Sequence, residues 1–443
     1  MNYPIWHIPF LGGSWLIGIV AIIHIFISHF AVGGGIFFAV TEQIAYNRKD
    51  VKLYQYLRKH SKFFLLITTV AGAVTGVGIW WCISLVSPDG TATLIQNFTL
   101  GWATEYLFFV AEIATVFVYY YTWDKVDPKL HLQLAKWYAF LSVMTLVIIN
   151  GILSFMLTPG RWLETGIWRD GFFNSTYLST LLLRLLVMMA IAGMYALVTS
   201  SRIQDEDFKS YMVKYSSKWF VPILILGPVV GFWFFKNIPA EVINNVVTGI
   251  QSSGVGNFSI LARAIYLSFF LSGTILVFAL VGPYLNPKGF SFVTALMFLC
   301  SGFLVTGIGE WSREMLRKPY VIFNYMYSNG LRKSTIHDIQ EEGFIVNSNW
   351  AKANAAENPE RIGEIVYKSQ CLSCHDPQGG YRSMPKLLGS RDQEAIEGFL
   401  ATIASTDPEK NPYLHIMPPL VANEAEIKAL AKYLKGLSLK TSQ

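Results

Sequence analysis

Cys371-Leu372-Ser373-Cys374-His375 is the run of residues in this chain with the most specific chemistry. Two thiols three positions apart can each add to a porphyrin as a thioether, and the imidazole of the next residue can then ligate the iron. The pattern predicts a covalently attached haem c. A structural zinc site or redox pair would need a second half-site, and the other two cysteines, Cys82 and Cys300, stand alone in apolar segments.

A second set of candidates lies where ionisable groups are costly. His24, His29, Glu105, Glu112, Arg184, Arg263 and Glu310 fall within or at the ends of long apolar runs, which makes each a functional candidate. Glu105 and Glu112 are seven positions apart, an offset of about 20° on a helix, so both project from one face. Two carboxylates on one face could relay protons, or each could pair with Arg184 or Arg263. His24 and His29, five apart, point about 140° away from each other and cannot share one iron. Either could serve a separate centre, and His29 could instead simply bond a neighbouring carbonyl.

The elements that must position these groups are membrane helices. The 443 residues are 53% apolar and only 14% charged, which points to lipid. Apolar runs occur at about 12–40, 62–87, 98–121, 133–157, 176–200, 217–236, 258–284 and 290–309, each long enough to span a bilayer. Lys and Arg number six in 41–62, three in 122–136, four in 201–218 and one in 285–289, against none, two and none in 88–97, 158–175 and 237–257. By the positive-inside rule the basic loops face the cytoplasm, and the N-terminus and the Cys371–His375 motif face outward. No Lys or Arg precedes Arg48, so the first run lacks the charged start of a cleavable signal and reads as a retained span. The expected place is a bacterial inner membrane, because c-type haem is attached on the oxidising side. The net charge of +6 sits in loops and forms no stripe suited to nucleic acid.

Residues 310–318 read as an interfacial helix and 318–356 as an interfacial segment and linker, leaving 1–317 as the membrane domain and 357–443 as a small soluble domain. The soluble domain opens at Asn358-Pro359, an N-cap and a first-turn proline, and closes with a helix whose Asn423 and Glu426 have capping-box spacing. With the haem motif after the first helix, it resembles a class I cytochrome c. That resemblance places Gly363 and Tyr433 at a helix crossing, Cys371, Cys374 and His375 at the haem, and Met417 as sixth ligand. Met384 is the rival, although Pro385 and Leu387 match the segment that packs the haem edge. The domain carries eleven basic and eleven acidic residues over 351–443, so no charge patch names its partner. The whole reads as all-α, an eight-span bundle plus a cytochrome c domain.

Residues 10–317 resemble subunit I of the cytochrome bd oxygen-reductase superfamily. The resemblance rests on His24, Ala73-Val-Thr-Gly76, the Glu105 and Glu112 pair with Trp123-Asp124, Asn150-Gly151, and Gly309-Glu310 with Arg313. It implies that His24 and Glu310 ligate one or two membrane haems, of b or d type, with Arg313 and Arg263 alongside, and that Glu105 and Glu112 feed protons or hold the second haem. The histidine expected in the fifth span is missing, Ile265 stands two after Arg263 where a methionine is expected, and the outer loop 237–257 is too short to oxidise quinol. The implied function is electron transfer between a soluble or anchored cytochrome c and high-spin haems, with oxygen as acceptor and a companion membrane subunit. The alternative is an electron conduit in a quinol:cytochrome c or nitrite-oxidising assembly, and a third reading is a scaffold whose only working centre is the haem c.

Overall fold

The computed structural model describes residues 4–252 and 260–440. Among them are eight helices long and apolar enough to cross a membrane: Gly13–Arg48, Val51–Val86, Thr99–Tyr121, Pro128–Phe155, Tyr177–Ser200, Glu206–Asn237, Ala262–Leu285 and Phe292–Arg317. They are the first to eighth spans below. Side-chain caps start several of them: Asp50 accepts from the Leu53 amide, Asp127 from Lys129 beside Pro128, Asp205 from Phe208 and Ser291 from Thr294.

The first span is the axis of the bundle. Its Gly33 lets the backbones close up, since a β-carbon there would lie 2.0 Å from the Met188 carbonyl oxygen of the fifth span. Around it Phe30, Phe37, Phe38, Phe64, Tyr119 and Tyr138 form a buried aromatic core. The outward faces of the third, sixth and seventh spans expose Leu107, Phe232, Phe269 and Phe270, as lipid contact requires.

The helices outrun the apolar windows that announce them. The first reaches Arg48 and the second begins at Val51, so polar residues outside the expected spans are helical too. The stretch 310–318 is not a separate interfacial helix. The eighth span runs unbroken to Arg317, because ion pairs from Arg313 to Glu310 and from Arg317 and Lys318 to Glu314 neutralise the charges of its last turns. The loop 237–257 holds a helix, Ala240–Ser252, and residues 253–257 lie outside the described set.

Nor does the chain run as a bare linker after the eighth span. An antiparallel hairpin pairs Tyr320 with Tyr327, short helices follow at Ile336–Glu342 and Asn349–Glu357, and Leu331, Ile336 and Phe344 are buried. They share one core with Ile365, Val366, Leu430 and Leu434 of the helices Ile362–Gln370 and Glu424–Lys440. Glu426 explains the joint. It completes a reciprocal capping box with Asn423 and also accepts from the Phe344 and Ile345 amides at 2.9 and 2.8 Å. The helices Ile362–Gln370 and Glu424–Lys440 cross at Gly363, where a β-carbon would lie 2.1 Å from the Ala429 carbonyl oxygen, and Tyr367 faces Tyr433 beside the crossing.

Candidate functional site

Two sites lie at the same end of the bundle. The helix Ile362–Gln370 stops at Cys371, and a tight turn bonds the amides of Cys374 and His375 to the Cys371 carbonyl. One cleft is lined by Cys371, Cys374, His375 and Met417, so two thiols, an imidazole and a thioether face a common space. Met384, by contrast, is buried in the core on the short helix Met384–Leu388 and is not part of that lining. His375 Nδ1 lies 3.0 Å from the Arg382 carbonyl. A carbonyl only accepts, so Nδ1 carries the proton and Nε2 keeps a lone pair. Burial also holds this imidazole below its ordinary pKa and pushes the Cys371 thiol up to about 12. This donor set fits a covalently bound haem.

The second site is assembled from four spans. His24 Nδ1 lies 3.2 Å from Thr75 Oγ1, and that hydroxyl already donates to the Ala71 carbonyl at 2.7 Å. Thr75 therefore accepts from His24, and again Nε2 is left with its lone pair. A π-helical stretch, Leu66–Ala71, precedes this contact in the second span, and Gly76 makes room for the ring, 3.2 Å from where a β-carbon would sit. In the eighth span Glu310 accepts from Arg313 at 2.7 and 3.0 Å, and Arg184 of the fifth span approaches its other oxygen at 3.4 Å.

Glu310, Arg313, Glu314, Arg317 and Lys318 line a cavity of about 290 Å³ walled by Trp80 and Trp102. Arg184, Arg313, Arg317 and Lys318 are four cations facing two anions, Glu310 and Glu314, which leaves a net +2 at this buried end. Arg317 Nε and Ser312 Oγ are buried without partners. A haem with two propionates would neutralise that charge, so these residues fit one. His24 is not in the lining, but Ile22 and Ile25 on either side of it are. His29 is buried, bonds the Ile25 carbonyl at 2.5 Å, and lies within electrostatic range of His24, Arg184 and Glu310.

Glu112 is buried and accepts from Tyr138 at 3.3 Å and Thr145 at 3.2 Å, while Glu105 on the same helix face is half-buried. Among the described residues neither carboxylate has an arginine partner, since Arg184 turns to Glu310. Arg263 is exposed on the seventh span, and among the described residues the ion pairs to Glu310 come from Arg184 of the fifth span and Arg313 of the eighth.

A third buried cluster was not foreseen. Glu42 accepts from the Tyr119 hydroxyl at 2.8 Å and meets His131 Nδ1 at 2.7 Å, while His131 Nε2 donates to the Tyr119 carbonyl. Glu42 and His131 lie just beyond the apolar windows at 12–40 and 133–157, so only the continued helical pattern could have revealed them.

The family model described as cytochrome bd terminal oxidase subunit I matches residues 14–241. The solved structure of bd oxidase from Geobacillus thermodenitrificans superposes with a TM-score of 0.61 at 15% identity, covering 71% of this chain and 89% of that one, a likeness of fold. No curated protein matches the sequence.

Proposed function

Because this chain belongs to the cytochrome bd terminal oxidase subunit I family, we propose that it is an electron-transfer subunit in which a covalent haem c exchanges electrons with membrane haems. Cys371 and Cys374 would hold the haem c by thioethers, and His375 Nε2 and Met417 would ligate its iron. His24 Nε2 and Glu310 ligate one or two membrane haems of b or d type, and Arg313, Arg317 and Lys318 receive the propionates. Such haems carry single electrons and, where high-spin, bind oxygen, which is the proposed acceptor. Glu112, held by Tyr138 and Thr145, passes protons toward Glu105. A companion membrane subunit completes the bundle and a cytochrome c is the redox partner. The c-type unit lies on the outer side of the membrane.

The observation that carries this reading is the adjacency of the two cavities. Ser328 and Ser373 line both the cysteine cleft and the Glu310 cavity. Absorbance spectra of the dithionite-reduced complex, with and without carbon monoxide, test it. Expected are c-type bands together with b- or d-type bands, the latter shifted by carbon monoxide. Spectra lacking every b- or d-type band would sink the proposal, and bands indifferent to carbon monoxide would leave an electron conduit without oxygen reduction.

A further inference from the structure

The residues before the first span do not trail into solvent; they bind the cysteine turn. His7 Nε2 lies 2.7 Å from an oxygen of Asp376, whose side chain is only 2% exposed, and the Phe10 amide donates to the other oxygen at 3.3 Å. The Gly380 amide donates to the Phe10 carbonyl at 2.9 Å, and the Ser14 amide donates to the Ser373 carbonyl at 3.2 Å. Ser14 Oγ then touches Cys374 Sγ at 3.3 Å. The approach is of backbone on backbone. A β-carbon at Gly379 would fall 1.7 Å from the Phe10 carbonyl oxygen, and one at Gly12, which has φ +78°, would lie 3.2 Å from the Gly380 α-carbon and the Ser373 carbonyl oxygen. One turn further on, the Trp15 ring meets Tyr381 edge-on at 5.6 Å.

Ser14 and Trp15 also line the cavity that contains Glu310. Ser14, which touches the cysteine turn, and Trp15, which meets Tyr381, therefore also wall the membrane site. We propose that residues 6–15 are a strap that locks the C-terminal unit in one pose, with Ser14 holding the cysteine turn so that Ser373 stays at the wall of the Glu310 cavity. Electrons then cross from a fixed inlet, not from a domain swinging on a tether. Each crossing moves one electron, oxidising the iron of the c-type haem and reducing that of a membrane haem, with no bond made or broken. The inference rests on the haem assignments proposed above.

Two variants of the full complex test it. Gly379→Ala places a methyl group against the Phe10 carbonyl and opens the strap; His7→Ala removes the half-exposed imidazole from buried Asp376, which keeps its bonds from the Phe10 and Gln378 amides. Flash-initiated transfer from the reduced c-type haem to the membrane haem is expected to slow by about ten-fold in Gly379→Ala and by about two-fold in His7→Ala. Hydrogen exchange at the Ser14 and Gly380 amides should be slow in the parent and fast in Gly379→Ala, with c-type absorbance unchanged. Unchanged transfer rates in Gly379→Ala despite fast exchange, or fast exchange in the parent, would overturn the strap. Loss of c-type absorbance in the parent itself would overturn the haem assignment instead, and the strap's role with it.

Discussion

The cysteine cleft and the Glu310 end of the bundle solve the same problem with different resources. In both, a histidine is fixed by an acceptor at Nδ1, the Arg382 carbonyl for His375 and the Thr75 hydroxyl for His24. Both therefore keep Nε2 available as a ligand. The cleft draws three of its four donors from residues 371–375 of one turn in a solvated unit. The membrane site draws on residues 24, 75, 184, 310 and 313 of four spans, in surroundings where unpaired charge is costly. A local site needs one turn to form; a distributed one needs the whole bundle.

The largest expected effects separate the two regions outright. His375→Ala should abolish correct c-type ligation while membrane haem absorbance persists, and His24→Ala should do the converse; loss of both in either variant would show that the regions fold as one. Next is Arg184→Leu, which removes one of two cations on Glu310; Arg313 still pairs with that carboxylate, so the cost stays below the roughly 3–5 kcal/mol of a buried charge left wholly unpaired. This variant should reduce membrane haem occupancy and leave haem c unaltered in a pyridine haemochrome assay.

Thr75→Val is sharper, because it frees His24 Nδ1 without removing the ligand. Haem retention should weaken by about 10- to 100-fold, as measured by haem loss on titration with an apo-acceptor protein. The backbone carbonyl that serves His375 offers no equivalent side-chain change. Within the cleft, Met417→Leu should lower the reduction potential of haem c, whereas Met384→Leu should shift only stability, by less than about 1.5 kcal/mol.

The smallest effect concerns the surface of the C-terminal unit. The Arg361 hydrogen bond, with help from Lys368, holds the Glu364 carboxyl at about 2. A depressed carboxylate stabilises the fold above its unfolded pKa, and that gain is lost as pH falls from about 4.5 toward 2. Its partners Arg361 and Lys368 are exposed, so the pairs are screened by water and Glu364→Gln should cost only about 0.5 kcal/mol at neutral pH. In thermal melts the difference between parent and variant should close as the pH is lowered.

Legibility followed the range of the interactions. The spans were visible because hydropathy is a property of consecutive residues, and the Cys371–His375 motif because its spacing is its geometry. Glu42 and His131 escaped because helices continue past the apolar window that identifies them. The segment 318–356 reads as linker because its buried residues, among them Ile322, Met326, Tyr327, Leu331, Ile336, Phe344 and Ala351, are spread over a short hairpin and short helices that share no single period, and Glu426 reaches the Phe344 amide from some eighty positions away. That Arg184 pairs with Glu310, 126 positions away, is set by packing between spans and has no signal in the sequence.

By itself, then, the sequence determined that eight helices are apolar enough to cross a membrane and that two thiols and an imidazole share one turn. Both follow from local chemistry. Tertiary structure alone decided that Arg184 of the fifth span reaches Glu310 of the eighth and that Ser14 touches Cys374 across 360 positions. Such contacts depend on how closely backbones approach, at Gly33, Gly363 and Gly379, and that distance is set by the packing of the whole chain.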